Sequence, residues 1–230
     1  MQGIVDEVVV VDSFSTDETR DLAAQCGAKV LTHEFEGHIQ QKNYAMRQCE
    51  HEWILSLDAD EALSDELKDS IQSLKGKAHA DAYSFNRRSN YCGQWIWHSG
   101  WYPDVKVRLF KKDAGAWGGR NPHDQFIIKK EKKTQHLKGD LLHYTFYTVE
   151  QHKKQIENFS SISARAYYEM GRKSNLLKIL FSPVAKFIRN YFLKGGILDG
   201  YYGLLICSLS AKATYLKYVK LQKIQKGQTV

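Results

Sequence analysis

Three acidic residues follow one apolar run, at a spacing that suits the binding of a metal ion or a sugar. The run WILSL (residues 53–57) leads into Asp58 and Asp60, which are separated by one alanine, and Glu61 comes next. Carboxylate oxygens are hard ligands that suit Mg²⁺ or Mn²⁺ held together with a substrate's phosphates. A D-x-D triplet also occurs by chance on solvated loops, so the triplet alone leaves both interpretations open.

The elements predicted around these acids alternate between strand and helix. Apolar, β-branched runs predict strands, and periodic segments with N-cap residues predict helices. The strands are predicted at 7–13, 28–33 and 52–58, and the helices at 15–27, 37–50 and 64–76. This alternation predicts an α/β fold with a mostly parallel sheet flanked by helices. Strands with aromatic loops are predicted after residue 80, and helices from about residue 150.

Asp12 ends the first of these strands, and Asp58 ends the third. In open α/β sheets, ligands bind outside the carboxyl ends of the strands. We therefore expect Asp12, Asp58 and Asp60 to share one crevice. The alternative for Asp12 is that its side chain only caps the turn that follows it.

Several motifs, in their order and spacing, resemble the inverting glycosyltransferases of family two, which have the GT-A fold. They are VVVVDSFSTDETRDLA, WILSLDADE, GWYPDVKVRLFKK, NPHD and LLHYTFY, and the likeness covers about residues 4–225. It is greatest to the bacterial branch that adds a sugar, typically glucose, to the heptose region of the lipopolysaccharide inner core. The resemblance implies a nucleotide-sugar donor, with UDP-glucose expected, a lipopolysaccharide core or other glycolipid acceptor, and Mg²⁺ or Mn²⁺ as the cofactor.

The resemblance also implies roles for residues that bind the donor. Asp12 stands where the family contacts the nucleotide base or ribose, and Lys42 in QQKN stands where a basic residue faces the diphosphate. Asp58 and Asp60 occupy the D-x-D positions, with Asp60 as the expected metal ligand. From the residues alone, Lys42 on an amphipathic helix is a solvated charge.

Two further positions complete the site that the resemblance implies. Asp124 in NPHD stands at the place of the catalytic base, where this branch more often has His-Glu, so its reach is one methylene shorter. His143 in LLHY matches a histidine that the GT-A core commonly turns toward the metal. Alternatively, Asp124 belongs to a Gly-rich turn and His143 is a core histidine.

The chain divides at about residue 150 in this interpretation. Residues 1–150 form a GT-A-like domain, and residues 151–230 form a helical, basic appendage. The family begins with a further strand and helix, so we expect the N-terminal βα unit to be missing before the strand at 7–13.

The positive charge lies in the C-terminal quarter. The formal net charge is +7, and residues 171–230 hold 11 lysines and arginines against one acid, Asp199. Because aromatic and aliphatic residues alternate with these cations, the segment predicts interfacial helices on an anionic membrane surface. Its longest apolar run, YYGLLICSLSA, is too short to cross a bilayer. An ordinary packed helix with a solvated basic face is the alternative, and no nucleic-acid-binding module accompanies the charge.

These features predict a cytoplasmic enzyme that is peripheral on the inner face of the inner membrane. The four cysteines form no CxxC pair, which is typical of reduced thiols. Two other functions stay open. One is a degenerate transferase that binds membrane or glycolipid without catalysis, and the other is a D-x-D phosphotransferase, whose motif prefers Thr or Val where this chain has Ala62. The aromatic cluster at residues 95–102 is either a sugar platform or core.

Overall fold

The structure is a computed structural model that describes residues 3–120 and 123–229, without the side chains of Arg120 and His123. Its strands are β1 Val9–Asp12, β2 Lys29–Thr32, β3 Trp53–Leu55, β4 Glu61–Leu63, β5 Ala82–Tyr91, β6 Gln94–Trp95, β7 Asp104–Lys111, β8 Gly115–Arg120, β9 His123–Ile128 and β10 Thr134–Phe146. Its α-helices are α1 Thr19–Gln25, α2 His38–Gln48, α3 Asp65–Gln72, α4 Val149–Glu169, α5 Leu176–Ile188 and α6 Gly200–Gln225. The predicted alternation of strands and helices up to residue 76 is present except at β4, an additional strand between β3 and α3, and the chain is mainly helical from Val149 onward.

The main sheet is mixed and strongly curled, so the prediction of a mostly parallel sheet is wrong. Its strand order is β3-β7-β5-β10-β4, with β6 paired to β5, and the β3–β7 and β5–β6 pairs are antiparallel. An apolar run shows that a strand is buried but not the direction of its neighbours. Here β3 is buried beside an antiparallel partner that arrives from more than 50 residues later in the chain.

β1 and β2 pair in parallel, in a separate two-stranded sheet, and β8 and β9 form an antiparallel pair of their own. β1 and β3 lie in different sheets. Asp12 and Asp58 therefore do not lie at the carboxyl edge of one sheet, which is where the sequence predicted them.

The chain forms two compact units. The first contains Met1–Asn86 and Val105–Leu141. Its larger core packs Leu67 and Ile71 of α3 against Tyr83 and Phe85 of β5. As predicted, α3 begins at an N-cap serine, because the backbone N–H of Leu67 donates to the Ser64 hydroxyl at 3.3 Å. A second cluster in this unit packs three aromatic rings from β7, β8 and β9: Phe110 stacks on Phe126, and Trp117 meets both rings edge to face.

The second unit contains Arg87–Asp104 and Leu142–Val230. Its core includes Tyr91, Phe146 and Ile206, and α4 begins with a capping box in which Thr148 and Gln151 bond to each other's backbone. Asp199, the acid among the cations of the C-terminal quarter, accepts hydrogen bonds from the backbone of residues 97 and 98 and from the hydroxyl of Ser99. Within the described residues, none of the helices is both long enough and apolar enough to cross a membrane. The division predicted near residue 150 stays a prediction.

Candidate functional site

Helix α2 carries Lys42, the residue predicted to face the diphosphate of the donor, and places it beside β8. The next residue, Asn43, holds the helix against β8 through two reciprocal bonds to Trp117. Its Nδ2 donates to the Trp117 carbonyl at 2.9 Å, and its Oδ1 accepts from the Trp117 backbone N–H at 3.0 Å. The ammonium of Lys42 consequently lies over the Trp117 ring, 4.5 Å from its centroid. This clamp fixes the lysine beside β8 and β9.

The antiparallel pairing of β3 with β7 brings Arg108 to the same place. Leu55 is paired with Leu109, and the backbone N–H of Ser56 donates to the Arg108 carbonyl at 2.8 Å. Arg108 therefore lies opposite a residue only two positions before Asp58. Its side chain is 4% exposed, although arginine is rarely buried to this degree unless it is paired.

Five side chains of alternating charge form a continuous chain of contacts at this point. The Nζ of Lys42 lies 2.8 Å from Asp58 Oδ1 and 2.8 Å from Asp124 Oδ2. The Nη2 of Arg108 lies 2.7 Å from Asp58 Oδ2 and 2.7 Å from Glu61 Oε1. The order is thus Glu61, Arg108, Asp58, Lys42, Asp124, which we call the charge chain. It joins residues from α2, β4, β7, β9 and the turn after β3.

The electrostatics of the charge chain keep Asp58 ionised. Burial of its carboxyl opposes ionisation, but the charges of Arg108 and Lys42 and their hydrogen bonds outweigh burial and hold its pKa at about 2. Burial likewise works against the charge on Arg108, whereas Glu61 and Asp58 favour it and leave the pKa of the guanidinium raised. Asp58 and Arg108 therefore both stay charged near neutral pH.

Three buried N–H donors next to the charge chain lack an acceptor among the described residues. They are Nε and Nη1 of Arg108 and the indole Nε1 of Trp117. The guanidinium carbon lies 5.4 Å from the centroid of the Trp117 ring. A buried donor without a partner costs about 1–3 kcal/mol, so these donors favour a bound water or a polar group at this point.

Asp60 lies on an exposed turn between Asp58 and Glu61, two of the three acids of the charge chain. The turn is closed by the Glu61 backbone N–H, which donates to the Asp58 carbonyl at 3.0 Å. In the part of the chain that the structure describes, no three His, Cys, Asp or Glu side chains form a cluster able to hold a metal. Mg²⁺, however, is usually held by one or two carboxylates together with substrate phosphates, and the exposed Asp60 fits that kind of shared site.

Asp12 lies outside the charge chain. Its buried carboxylate accepts from the Ser15 hydroxyl and from the Ser15 backbone N–H, and Arg20 lies 3.8 Å away. The hydrogen bonds from Ser15 hold the pKa of Asp12 below its ordinary value. Capping of the turn, the alternative that the sequence left open, is thus a contact that Asp12 makes in this structure.

His143 and the aromatic cluster at residues 95–102 are not part of the charge chain. His143 belongs to the second unit, where its Nδ1 lies 3.0 Å from the Thr145 hydroxyl. The turn-forming Asn121 and Pro122 lie outside the described residues. In the aromatic cluster, Trp101 packs in the core against Tyr91, whereas the ring of Trp97 is 45% exposed.

Sequence reasoning assigned no role to Arg108, Glu61, Asn43 or Trp117. The sequence of β7 gave little signal, because Arg108 is one of several charged residues in DVKVRLFK, although a charge that is buried in a strand needs a partner. Its partners could not be identified from the sequence, because Asp58 and Glu61 are about 50 residues away along the chain.

A cavity of about 810 Å³ also lies in the first unit, and its lining contains none of the residues of the charge chain. It is lined mainly by apolar side chains from residues 4–10 and 53–57 and from the end of α3 onward. Charged residues, among them Glu7, Glu52 and Lys75, also line this cavity, which is separate from the charge chain.

Comparison with known proteins identifies relatives along nearly the whole chain. The model of the family described as "Glycosyl transferase family 2" matches residues 2–147. An uncharacterised glycosyltransferase of Rickettsia felis is 30% identical, over 97% of this chain and 82% of the relative. The lipopolysaccharide core biosynthesis glycosyltransferase LpsC of Rhizobium meliloti is 24% identical, over 92% of this chain and 83% of LpsC.

Among solved structures, residues 1–349 of TarS from S. aureus align with 96% of this chain and 82% of that chain, at 14% identity and a TM-score of 0.43.

Proposed function

The chain belongs to glycosyl transferase family 2, and from this premise we propose that it transfers a sugar, with inversion, from a nucleotide-sugar donor to a lipopolysaccharide core or another glycolipid acceptor. UDP-glucose is the proposed donor. The observation that carries the proposal is that one ammonium, Lys42, contacts both the first D-x-D acid and the carboxylate proposed as the base, each at 2.8 Å. Three of the residues that we propose for donor binding and proton transfer, Lys42, Asp58 and Asp124, thus form one cluster.

The charge chain also suggests how the site is used. A diphosphate arriving near Asp60 would compete with Asp124 for the ammonium of Lys42, because both are anions that attract it. Asp124 would then lose its cationic partner, and without that ion pair its carboxylate would accept a proton more readily. Mg²⁺ or Mn²⁺ bound at Asp60 would neutralise charge on the leaving diphosphate.

The proposed chemical step is a single displacement. The acceptor hydroxyl oxygen forms a bond to the anomeric carbon of the sugar, and the bond from that carbon to the diphosphate oxygen breaks. Asp124 takes the hydroxyl proton, as a general base must. The bonding electrons leave with the diphosphate, whose developing charge is stabilised by Lys42. Arg108 keeps Asp58 in place throughout, since its two ion pairs are formed inside the protein.

The proposal of a lipid-linked acceptor rests on the similarity to LpsC and on the exposed face of α5. Leu177, Leu180, Phe181, Val184 and Ile188 of that helix are 47–65% exposed, and together they form an apolar stripe at helical spacing. Monomeric proteins rarely expose so continuous an apolar face. With lysine and arginine nearby, this stripe suits the headgroup region of an anionic bilayer, and we propose that the protein is peripheral on the inner face of the inner membrane.

A transfer assay tests the proposed function. UDP release from UDP-glucose and other UDP-sugars is measured with lipopolysaccharide core acceptors, for the wild type and for Asp124→Asn. The variant should keep donor affinity within a few-fold and lose at least about a hundredfold in turnover, the usual scale for loss of a general base. Asp113→Asn, at an exposed acid bonded to Lys132, is the matched control and should stay normal.

Two results would contradict the proposal. Normal turnover in Asp124→Asn would remove the proposed base, and donor binding without transfer to any acceptor would indicate a degenerate transferase.

A further inference from the structure

We propose that the second unit contains a binding site for a phosphate group, in a cavity between α4, α5 and α6. The cavity has a volume of about 300 Å³ and is lined by Lys186 of α5 and Lys217 of α6. Hydroxyl and amide side chains supply most of the remaining polar lining. These side chains are Gln155, Ser160, Ser163, Ser210 and Thr214.

The positive charges of the two lysines that line this cavity are not balanced by an acidic side chain in the lining. Lys186 has no hydrogen-bond or ion-pair partner among the described residues. Burial of Lys186, together with the nearby positive charges of Arg189, Lys194 and Lys217, lowers the pKa of its ammonium. A bound anion would reverse this unfavourable electrostatic environment.

The acid nearest to the cavity is already paired. Glu157 of α4 does not line the cavity, and it lies instead 3.5 Å from Lys220 and 3.9 Å from Lys212. Lys217 donates to the Tyr167 hydroxyl at 3.2 Å, which uses one of the three N–H groups of its ammonium. Donors from both lining lysines are therefore available to a ligand, while the neighbouring acid is occupied.

The donor set and the size of the cavity favour a phosphate group. Lysine binds phosphate as a point charge, and serine hydroxyls can add hydrogen bonds to its oxygens. The hydroxyls of Thr214 and Ser160 already donate to backbone carbonyls and are not available as donors. The volume lies at the lower end of the range of small-molecule pockets, about 300–1,000 Å³, which suits a small group better than a whole nucleotide sugar. The hydroxyls of Ser163 and Ser210 have no partner among the described residues and are suited to this role.

The site stands apart from the proposed transfer. It lies beyond residues 2–147, which the family model matches, and it uses none of the residues of the charge chain. A phosphate group of this kind occurs on a lipid headgroup, on a phosphorylated glycolipid and as free phosphate. The chemistry of the phosphate group is the same in each case, so the experiment must distinguish binding of a lipid-linked phosphate from binding of free phosphate.

The test is calorimetric titration of the whole chain with inorganic phosphate at constant ionic strength. Wild-type protein should bind phosphate saturably, and Lys186→Met should raise the dissociation constant at least tenfold. Lys186→Arg keeps the charge and should restore most of the binding. Lys212→Met, at an exposed lysine of α6 outside the cavity, is the matched control and should stay within twofold of the wild type. Circular dichroism checks that each variant is folded.

A second arm identifies the source of the phosphate. Phosphatidylcholine vesicles are doped with phosphatidic acid, a phosphomonoester, or with phosphatidylglycerol, a diester, at matched surface charge. Stronger sedimentation with phosphatidic acid that disappears in Lys186→Met assigns the site to a lipid headgroup, whereas phosphate binding without that preference assigns it to a soluble phosphate. The proposal is overturned if the wild type shows no saturable phosphate binding, or if Lys186→Met binds phosphate as tightly as the wild type does.

Discussion

Lys42 of α2 donates a 2.8 Å hydrogen bond to Asp124 of β9, although 82 residues separate them along the chain. The lysine is 15% exposed and the aspartate 12% exposed, so both partners are largely shielded from water. Lys42 and Asp124 thus neutralise each other in this structure. Lys42 is proposed to hold the diphosphate of the donor, and Asp124 is proposed as the base. Any ligand that attracts Lys42 also changes the environment of Asp124.

Removing the ammonium of Lys42 should weaken donor binding. In Lys42→Met, the dissociation constant for UDP in the presence of Mg²⁺ should rise at least about tenfold, because a charge-assisted contact to phosphate contributes about 1.5–3 kcal/mol. Calorimetry measures this change. Lys68→Met, which removes a lysine that pairs with Asp65 on the surface of α3, is the control. A dissociation constant within twofold of the wild type would show that Lys42 does not contact the diphosphate.

Arg108 should be required for stability of the first unit. Arg108→Met removes the guanidinium that lies 2.7 Å from Glu61, whose side chain is fully buried. Removal of one partner of a buried ion pair costs about 3–5 kcal/mol, and urea denaturation should show a loss of that size in the free energy of unfolding.

The control for Arg108 lies on the same strand. Lys111 pairs with Glu52 near the surface, at 3.1 Å, and Lys111→Met should cost at most about 1 kcal/mol. If the two variants lose equal stability, the pairs made by Arg108 are not the buried electrostatic element described above.

The sequence was sufficient to predict most of the strands and helices up to residue 76, but it missed β4, and it did not reveal the way in which the strands pair. The apolar runs at 7–13 and 52–58 have the same pattern, yet β1 pairs in parallel with β2 and β3 pairs antiparallel with β7. Hydrophobic periodicity reports burial, which both arrangements satisfy. The direction of a neighbouring strand depends on distant parts of the chain.

In the candidate site too, local features could be predicted from the sequence, whereas contacts between distant segments could not. The acids at 58 and 60 were identifiable because they directly follow a buried strand, which is a local signal. The meeting of Lys42 with Asp124 was suggested only by the family resemblance, and Arg108 was missed, because ion pairs between distant segments leave no local pattern. Asp12 shows the opposite case, since its contact with Ser15 is local and a simple turn preference predicts it.

His152 should make the stability of the second unit depend on pH. Burial among Tyr91, Trp101 and Phe146 lowers the pKa of this histidine to about 4, so the folded protein holds it neutral. The unfolded chain binds a proton near pH 6.5. The stabilising contribution is therefore complete above about pH 6.5 and is lost as the pH falls toward 4.

Between pH 7 and pH 5 this group should lower the free energy of unfolding by about 2 kcal/mol. Urea denaturation at the two pH values measures the change, and His152→Leu should flatten it. His51→Gln, at an exposed histidine, should leave the pH dependence as it is in the wild type. An unchanged slope in His152→Leu would mean that another group is responsible.

The apolar stripe of α5 should bind membranes. Phe181→Ser combined with Val184→Ser removes two side chains that are 65% and 55% exposed, so folding should be preserved. Each large apolar side chain contributes about 1.5–3 kcal/mol when it is buried, and the double variant should therefore largely lose sedimentation with anionic vesicles. Ile162→Ser, at an exposed residue of α4, is the control. Equal sedimentation of the double variant and the wild type would show that α5 is not the docking surface.

The measurement that most directly tests the central claim is calorimetric titration of UDP into the wild type and Asp60→Ala, each with and without Mn²⁺. The wild type should bind UDP only with the metal, and Asp60→Ala should lose this metal-dependent binding while circular dichroism shows an intact fold. Asp65→Ala, at an exposed acid five residues away, should bind as the wild type does. Unchanged metal-dependent binding in Asp60→Ala, or no binding of UDP by the wild type, would contradict the assignment of a nucleotide-sugar site to the acids that follow β3.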